Sequence, residues 1–246
     1  MSRSPHELLA QGARTVGEGR MDWHLLPTGQ TPTEGGSTLF ASPNSTKKQL
    51  TPTRITRIAT IAGLYAALTL VCMAFLGGLS WGPVQLRLSE AVCVLALLTA
   101  DAVPGLALGC AIANIANIAL SGTGLLGLLD VVFGTLATTL GALVTWRLRS
   151  RPSVAVLGPV LANALIVPAY LPLLLQGLGF YTIPFTSIAL DGAYPAMYLF
   201  GFVACGLGEG LVVYALGLPL FRALLASPLP RRLLQDEAAP TATEGA

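Results

Sequence analysis

Three carboxylates and one guanidinium stand inside long apolar runs: Arg87 and Glu90 three residues apart, then Asp130, then Glu209. With Asp101 and Asp191 they are the only members of the set Arg, Lys, Asp, Glu and His between Ile58 and Trp146 or between Pro152 and Phe221. A charged side chain costs about 2.5–3.5 kcal/mol at the centre of a bilayer on insertion scales, so such groups face a bundle interior or a watery cavity. The amides Asn114, Asn117 and Asn163 fall in the same runs and offer donors and acceptors. Carboxylates accept paired N–H donors, amides read a carbonyl, and the rings of Tyr170, Tyr194, Tyr198 and Trp81 provide stacking surfaces. The set describes an outward-facing pocket for a small, planar, hydrogen-bonding ligand.

Plainer readings stand beside this one. Arg87 and Glu90 at i, i+3 also suit a salt bridge at a helix start. Each Asn also suits a cross-link between helices. The aromatics also suit an interfacial belt. Glu209 resists such treatment, because no Lys or Arg lies near its depth on its own helix, so it must be protonated, paired with another helix or bound to ligand. Asp101 fits the N-cap of the helix that follows it.

Other chemistry is argued against. Cys72, Cys93, Cys110 and Cys205 sit in apolar segments without CxxC spacing, and His6 and His24 lie far outside them, so neither a disulfide framework nor a zinc site is expected. Gly78–Gly82 matches GxSxG, but a hydrolase elbow needs a strand-to-helix turn and a histidine base. Gly122–Gly127 matches GxGxxG without a preceding strand, and reads as a turn. No GxxxxGK[ST] occurs, so the chain carries no P-loop for ATP. No cofactor and no catalytic residue are expected.

The elements that must position these residues are membrane helices. The 246 residues are 53% hydrophobic and 11% charged, against about 25% charged in a soluble domain. Six spans are predicted: Ile58–Leu79, Val84–Ala100, Val103–Leu120, Leu126–Trp146, Val154–Leu175 and Tyr194–Leu225. The second is short, with Arg87 and Glu90 in its first turn at the interface. Pro104 sits in the first turn of the third, where proline is tolerated. Residues 1–53, rich in Ser, Thr, Gly and Pro toward their end, read as a disordered tail, 54–226 as the membrane domain and 227–246 as a second short tail. Basic clusters precede span one (Lys47, Lys48, Arg54, Arg57), follow span four (Arg147, Arg149, Arg151) and follow span six (Arg222, Arg231, Arg232). Six spans put all three clusters on one side, which the positive-inside rule makes cytoplasmic, so both termini lie inside. The loops Ser80–Pro83, Ser121–Gly124 and Gln176–Ala193 then lie outside.

Span one carries a stripe of small residues, Ala59, Ala62, Gly63, Ala66 and Ala67, on one face. Small residues let helix backbones approach closely in lipid, either inside the bundle or against another protein. Gly105xxxGly109 and Gly206xxxGly210 read as internal packing seams.

Several blocks, in order, carry a family resemblance: Gln85-Leu86-Arg87-Leu88-Ser89-Glu90-Ala91, Pro104-Gly105 and Gly109-Cys110 with Ala113-Asn114, Leu129–Thr138, Asn163–Val167, and Gly208-Glu209 with Leu216–Leu220. From about Arg54 to Leu225 the chain resembles the QueT family, whose members are S components of energy-coupling factor (ECF) transporters. The resemblance implies an all-α, six-helix S-component bundle in the cell membrane that captures a queuosine precursor, a 7-deazaguanine in its aminomethyl or cyano form. It implies two kinds of partner, a transmembrane T component and cytoplasmic ATPases, the former docking on Ala59, Ala62, Gly63 and Ala66. Ring N–H and amino donors of a deazaguanine suit a carboxylate, and an aminomethyl cation suits a second one, with Glu90, Asp130 and Glu209 as candidates. The competing readings are an S component for a vitamin or another nucleobase, a lipid-modifying membrane enzyme, and a structural subunit without ligand.

Overall fold

A computed structural model describes residues 51–76, 87–177, 187 and 194–228. The expected N-terminal tail up to residue 50, the Gly78–Gly82 motif, Trp81, Asp191, the loop Ser80–Pro83, most of the loop 176–193 and the tail beyond Pro228 lie outside the described residues.

Six helical elements follow one another as an antiparallel bundle: α1 (Pro52–Leu76), α2 (Leu88–Leu97), α3 (Ala102–Ser121), α4 (Gly124–Arg147), α5 (Leu157–Gly177, entered through the turn Pro152–Ala155) and α6 (Tyr194–Ala226). Among the described residues five are long and apolar enough to cross a membrane, and α2 is a shorter apolar helix. Large apolar residues cover the outside of the bundle as well as its core. Phe75, Leu125 and Leu207 are among its most exposed residues, while Ser89, Glu90, Asn163 and Glu209 are fully buried. Lipid tails solvate leucine as well as a core does, so large apolar residues can face outward while small and polar side chains share the interior with Leu97, Leu106 and Phe221.

Glycines set the helix crossings. A Cβ on Gly109 would lie 2.7 Å from the Ala62 carbonyl, and one on Gly105 2.9 Å from the Ile61 side chain, so α3 lies directly against α1. The Gly105xxxGly109 seam is therefore internal, and Gly206 and Gly210 likewise face α5 through Ala164 and Val160. α4 and α5 cross as closely, with a Cβ on Gly141 only 2.5 Å from the Pro159 backbone. The small stripe of α1 divides. Ala62 and Ala66 are buried inside the bundle, whereas Ala59, Gly63 and Ala67 stay exposed.

The Ser121–Gly124 turn forms as the sequence suggests: Gly122 at φ 67° and Gly124 at φ 55° occupy the left-handed region and reverse the chain between α3 and α4. At the opposite end, Asp101 does not cap α3 with its side chain. It instead holds two arginines of α1, Arg54 at 2.7 Å and Arg57 at 3.1 Å. Two cations on the neighbouring helix offer a buried carboxylate stronger, charge-assisted bonds than a backbone amide does. Leu97, Ala155, Val156 and Phe221 pack together at the same end, and Thr145 donates to the Ala155 carbonyl at 3.1 Å. Arg54, Arg57, Arg147, Arg149, Arg151 and Arg222 therefore gather at one end of the bundle.

The winding departs from regular α-helix where the polar residues stand. α2 is a ten-residue 3-10 helix, much longer than the usual three or four. Side chains three apart eclipse in such a helix, so Glu90, Cys93 and Ala96, all buried, form one straight row. α4 passes through a π-helical segment at Asp130–Gly134, and α6 through another at Val213–Gly217, one residue beyond the Glu209 turn. α5 contains Pro168 and Pro172. Proline lacks an amide hydrogen and its ring displaces the preceding turn, which frees carbonyls there. Tyr198 donates to the Leu165 carbonyl at 3.0 Å and Tyr194 to the Ala169 carbonyl at 2.8 Å. Each accepting carbonyl lies three residues before a proline, one position after the carbonyl whose intrahelical donor that proline removes, so α6 is tied to α5 beside both prolines.

Candidate ligand site

Depth is the first quantity that differs from expectation. Arg87 and Glu90 are expected at the outer membrane surface, at the start of a span. At about 2.0 Å per residue the ten residues of α2 cover only ~20 Å, against ~37 Å for the 25 of α1 at 1.5 Å each. α2 ends level with the start of α3, so its first residues stop far short of the other face. Glu90 accordingly meets Tyr65, at the midpoint of α1. Both Arg87 and Glu90 are buried, at 3% and 0% exposure, rather than interfacial. Glu209, halfway along α6, is then no deeper than its companions.

Glu90 is held on both sides. The Tyr65 hydroxyl donates to Oε1, and the Cys93 thiol donates to Oε2 at 3.0 Å. One turn along, Thr69 donates to Ser89 at 2.8 Å, so α1 and α2 are joined by two adjacent polar contacts. Asp130 opens the π segment of α4. Its Oδ1 accepts from the Tyr170 hydroxyl at 2.7 Å, and its backbone carbonyl accepts from Asn114 Nδ2 at 2.8 Å. Asn114 therefore does cross-link α3 to α4, while Asn117, one turn outward, keeps a buried Oδ1 without a partner among the described residues. Gly134 completes this corner, because a Cβ there would stand 3.1 Å from Asn114 Nδ2 and 3.6 Å from the Tyr170 hydroxyl. Phe133 stacks on Tyr170 with centroids 5.7 Å apart.

Arg87 ties the two corners together. Its guanidinium lies within electrostatic reach of Asp130, and Glu209 lies within reach of both Glu90 and Arg87. The structure thus brings Arg87, Glu90, Asn114, Asp130 and Glu209 around one interior region. Asn163 joins them by helix register. Val167 and Cys205 pack together across α5 and α6. One turn inward on each of these antiparallel helices come Asn163 and Glu209, which are therefore level. Both are fully buried, and neither the amide of Asn163 nor either oxygen of Glu209 has a hydrogen-bond partner among the described residues. A buried polar atom without a partner costs about 1–3 kcal/mol, and four of them at one level of a bundle call for a guest.

The aromatic set changes membership. Tyr170 belongs to the site, whereas Tyr194 and Tyr198 donate to the Ala169 and Leu165 carbonyls from the periphery. Tyr65, Cys93 and Ser89 escape sequence reasoning. The available signal was a tyrosine hydroxyl in the middle of an otherwise apolar span, which needs a partner when buried. Among the described residues no group of His, Cys, Asp and Glu is arranged to hold a metal.

A family model described as QueT transporter matches residues 55–226, more than half the chain. The chain belongs to the QueT transporter family. As a QueT-family protein it is a multi-pass membrane protein and a component of a transporter, and the matched region runs from the first turn of α1 to the end of α6. No curated protein and no solved structure matches it.

Proposed function

We propose that this protein is the S component of an ECF-type importer and captures a 7-deazaguanine queuosine precursor from outside the cell. The observation that carries the reading is the pair Asn163 and Glu209: an amide and a carboxylate, both buried and both unpartnered among the described residues, in a QueT-family bundle. A deazaguanine presents a ring N–H beside a carbonyl, which an amide complements with its own carbonyl and NH2, and amino hydrogens, which a carboxylate accepts. Tyr170, stacked on Phe133 and tethered to Asp130, offers a fixed ring beside it. The protein does no covalent chemistry itself. Cytoplasmic ATPases hydrolyse ATP, and a transmembrane T component docks on α1, for which the exposed part of the small stripe, Ala59, Gly63 and Ala67, offers close approach. The basic end of the bundle faces the cytoplasm, with both termini inside.

Titration of the purified protein with 7-deazaguanines and, separately, with vitamins tests the substrate. Binding heat and a raised unfolding temperature with a deazaguanine alone are expected, and a vitamin response in its place rejects the assignment. In cells, Glu209→Gln, Asp130→Asn and Glu90→Gln should each lower precursor uptake at least about tenfold while the protein remains in the membrane, since each weakens a hydrogen bond made by an ionised group. Unchanged uptake in all three would leave the bundle as a structural subunit.

A further inference from the structure

The arginines at the basic end of the bundle are not alike. Arg54 and Arg57 are both engaged by Asp101, whereas none of Arg147, Arg149 and Arg151 is paired with a carboxylate among the described residues. These three alternate along the turn from α4 to α5. That turn is ordered: the Leu148 amide donates to the Val144 carbonyl and the Arg151 amide to the Leu148 carbonyl, each at 2.9 Å. Thr145, bonded to the Ala155 carbonyl, and the close approach of Gly141 to Pro159 hold the two helices together beneath it. Arg147 and Arg151 are exposed, and Arg149 is half-buried. The Arg149 guanidinium lies 3.7 Å over the Trp146 ring, and its Nη1 donates to the Trp146 carbonyl at 3.4 Å. A guanidinium carries five N–H donors, so most of its edge stays open. Val144, Leu148, Val154 and Leu157 expose apolar side chains around the same corner. Keeping a loop on the cytoplasmic side requires only positive charge, which lysine supplies equally well. It does not require a planar cation stacked on an indole.

We propose that the α4–α5 corner is a binding site for an anionic glycerophospholipid, its phosphate held by Arg147, Arg149 and Arg151 and its acyl chains laid on the apolar surface beside Leu148 and Val154. Basic pockets between helices on this side of a membrane suit such headgroups. Tryptophan sits at headgroup level in a bilayer, and here it fixes the plane of the Arg149 fork. A fork fixed in this way offers two parallel N–H donors to phosphate oxygens, which a lysine ammonium does not. A free phosphate would meet the same guanidiniums but none of the apolar surface. An acidic protein surface would meet the charge but leave the apolar side chains to the lipid around it. The corner is separate from the interior cavity, so it stands or falls independently of the deazaguanine reading.

The test titrates the purified full-length protein, in an uncharged detergent, with phosphatidylglycerol, with phosphatidylcholine of the same chains and with inorganic phosphate, and reads the unfolding temperature. Phosphatidylglycerol should raise it with an apparent affinity at least about tenfold above that of phosphatidylcholine, the order expected for several basic residues at a headgroup. Arg149→Lys keeps the charge, and with it the insertion and orientation of the bundle, yet should cut that preference at least about threefold by removing the stacked fork. The combined change Arg147→Gln, Arg149→Gln, Arg151→Gln should abolish it. Equal responses to the two lipids in the unaltered protein overturn the proposal. An Arg149→Lys protein with the full preference also overturns it, since charge alone would then suffice. Stabilisation by inorganic phosphate equal to that by phosphatidylglycerol reduces the corner to an anion site and rejects the lipid. A triple variant that keeps its lipid preference but no longer co-isolates with cytoplasmic ATPases rejects it as well, in favour of a protein contact.

Discussion

Asn163 shows what a buried, unpartnered amide costs a bundle. Its amide is buried with both polar atoms unpartnered among the described residues, so replacing it with an apolar side chain of similar size removes a penalty rather than a bond. Asn163→Leu is expected to unfold at the same temperature as the parent or higher, yet to lose the stabilisation by 7-deazaguanine. A drop of several degrees in thermal unfolding in detergent would mean that the amide has a structural duty instead. Tyr65→Phe should behave in the opposite way. It removes a donor from buried Glu90 and should cost about 1–3 kcal/mol, read from denaturant unfolding. The contrast also explains what sequence could reveal. Glu209 was conspicuous because a lone carboxylate in an apolar helix has no bland explanation. Tyr65 and Cys93 were not, because a tyrosine or a cysteine in a span passes for filler until its hydroxyl or thiol is seen to touch Glu90.

Whole helices were largely legible, because apolar run length and the turn at Ser121–Gly124 place them within a few residues. Their internal winding was not. Nothing in the apolar composition of Leu88–Leu97 announces a 3-10 helix, so Arg87 and Glu90 were placed at the membrane surface when they lie deep in the bundle. Periodicity likewise identified the small stripe of α1 without saying that Ala62 and Ala66 turn toward α3 while Ala59 and Gly63 do not. The consequences can be measured element by element. Gly109→Val puts a Cβ against the Ala62 carbonyl, and should destabilise the protein by about 1–3 kcal/mol through separation of α1 and α3. The double change Tyr194→Phe, Tyr198→Phe removes the side-chain donors to the Ala169 and Leu165 carbonyls of α5. At about 0.6 kcal/mol for an average interhelical bond in a membrane, roughly 1 kcal/mol should be lost in all. A loss no larger than error would show that water or another group already serves those carbonyls.

For the molecule as a whole, the described basic residues Arg54, Arg57, Arg147, Arg149, Arg151 and Arg222 sit at one end, as the parity of six spans requires. The salt bridges of Asp101 and the cluster around Phe221 bring them there. All four native cysteines are buried, so single surface cysteines can be placed without removing them. Leu125→Cys should react with a membrane-impermeant maleimide on intact cells, and Ser150→Cys only after permeabilisation. The reverse pattern would invert the bundle in the membrane. One hazard for anyone editing this gene follows from the row formed by Glu90, Cys93 and Ala96. A residue inserted between Glu90 and Cys93 swings everything upstream by about 120°, the step of a threefold screw. The guanidinium of Arg87 would then swing away from Asp130 and Tyr170. A hydropathy plot would barely register the damage.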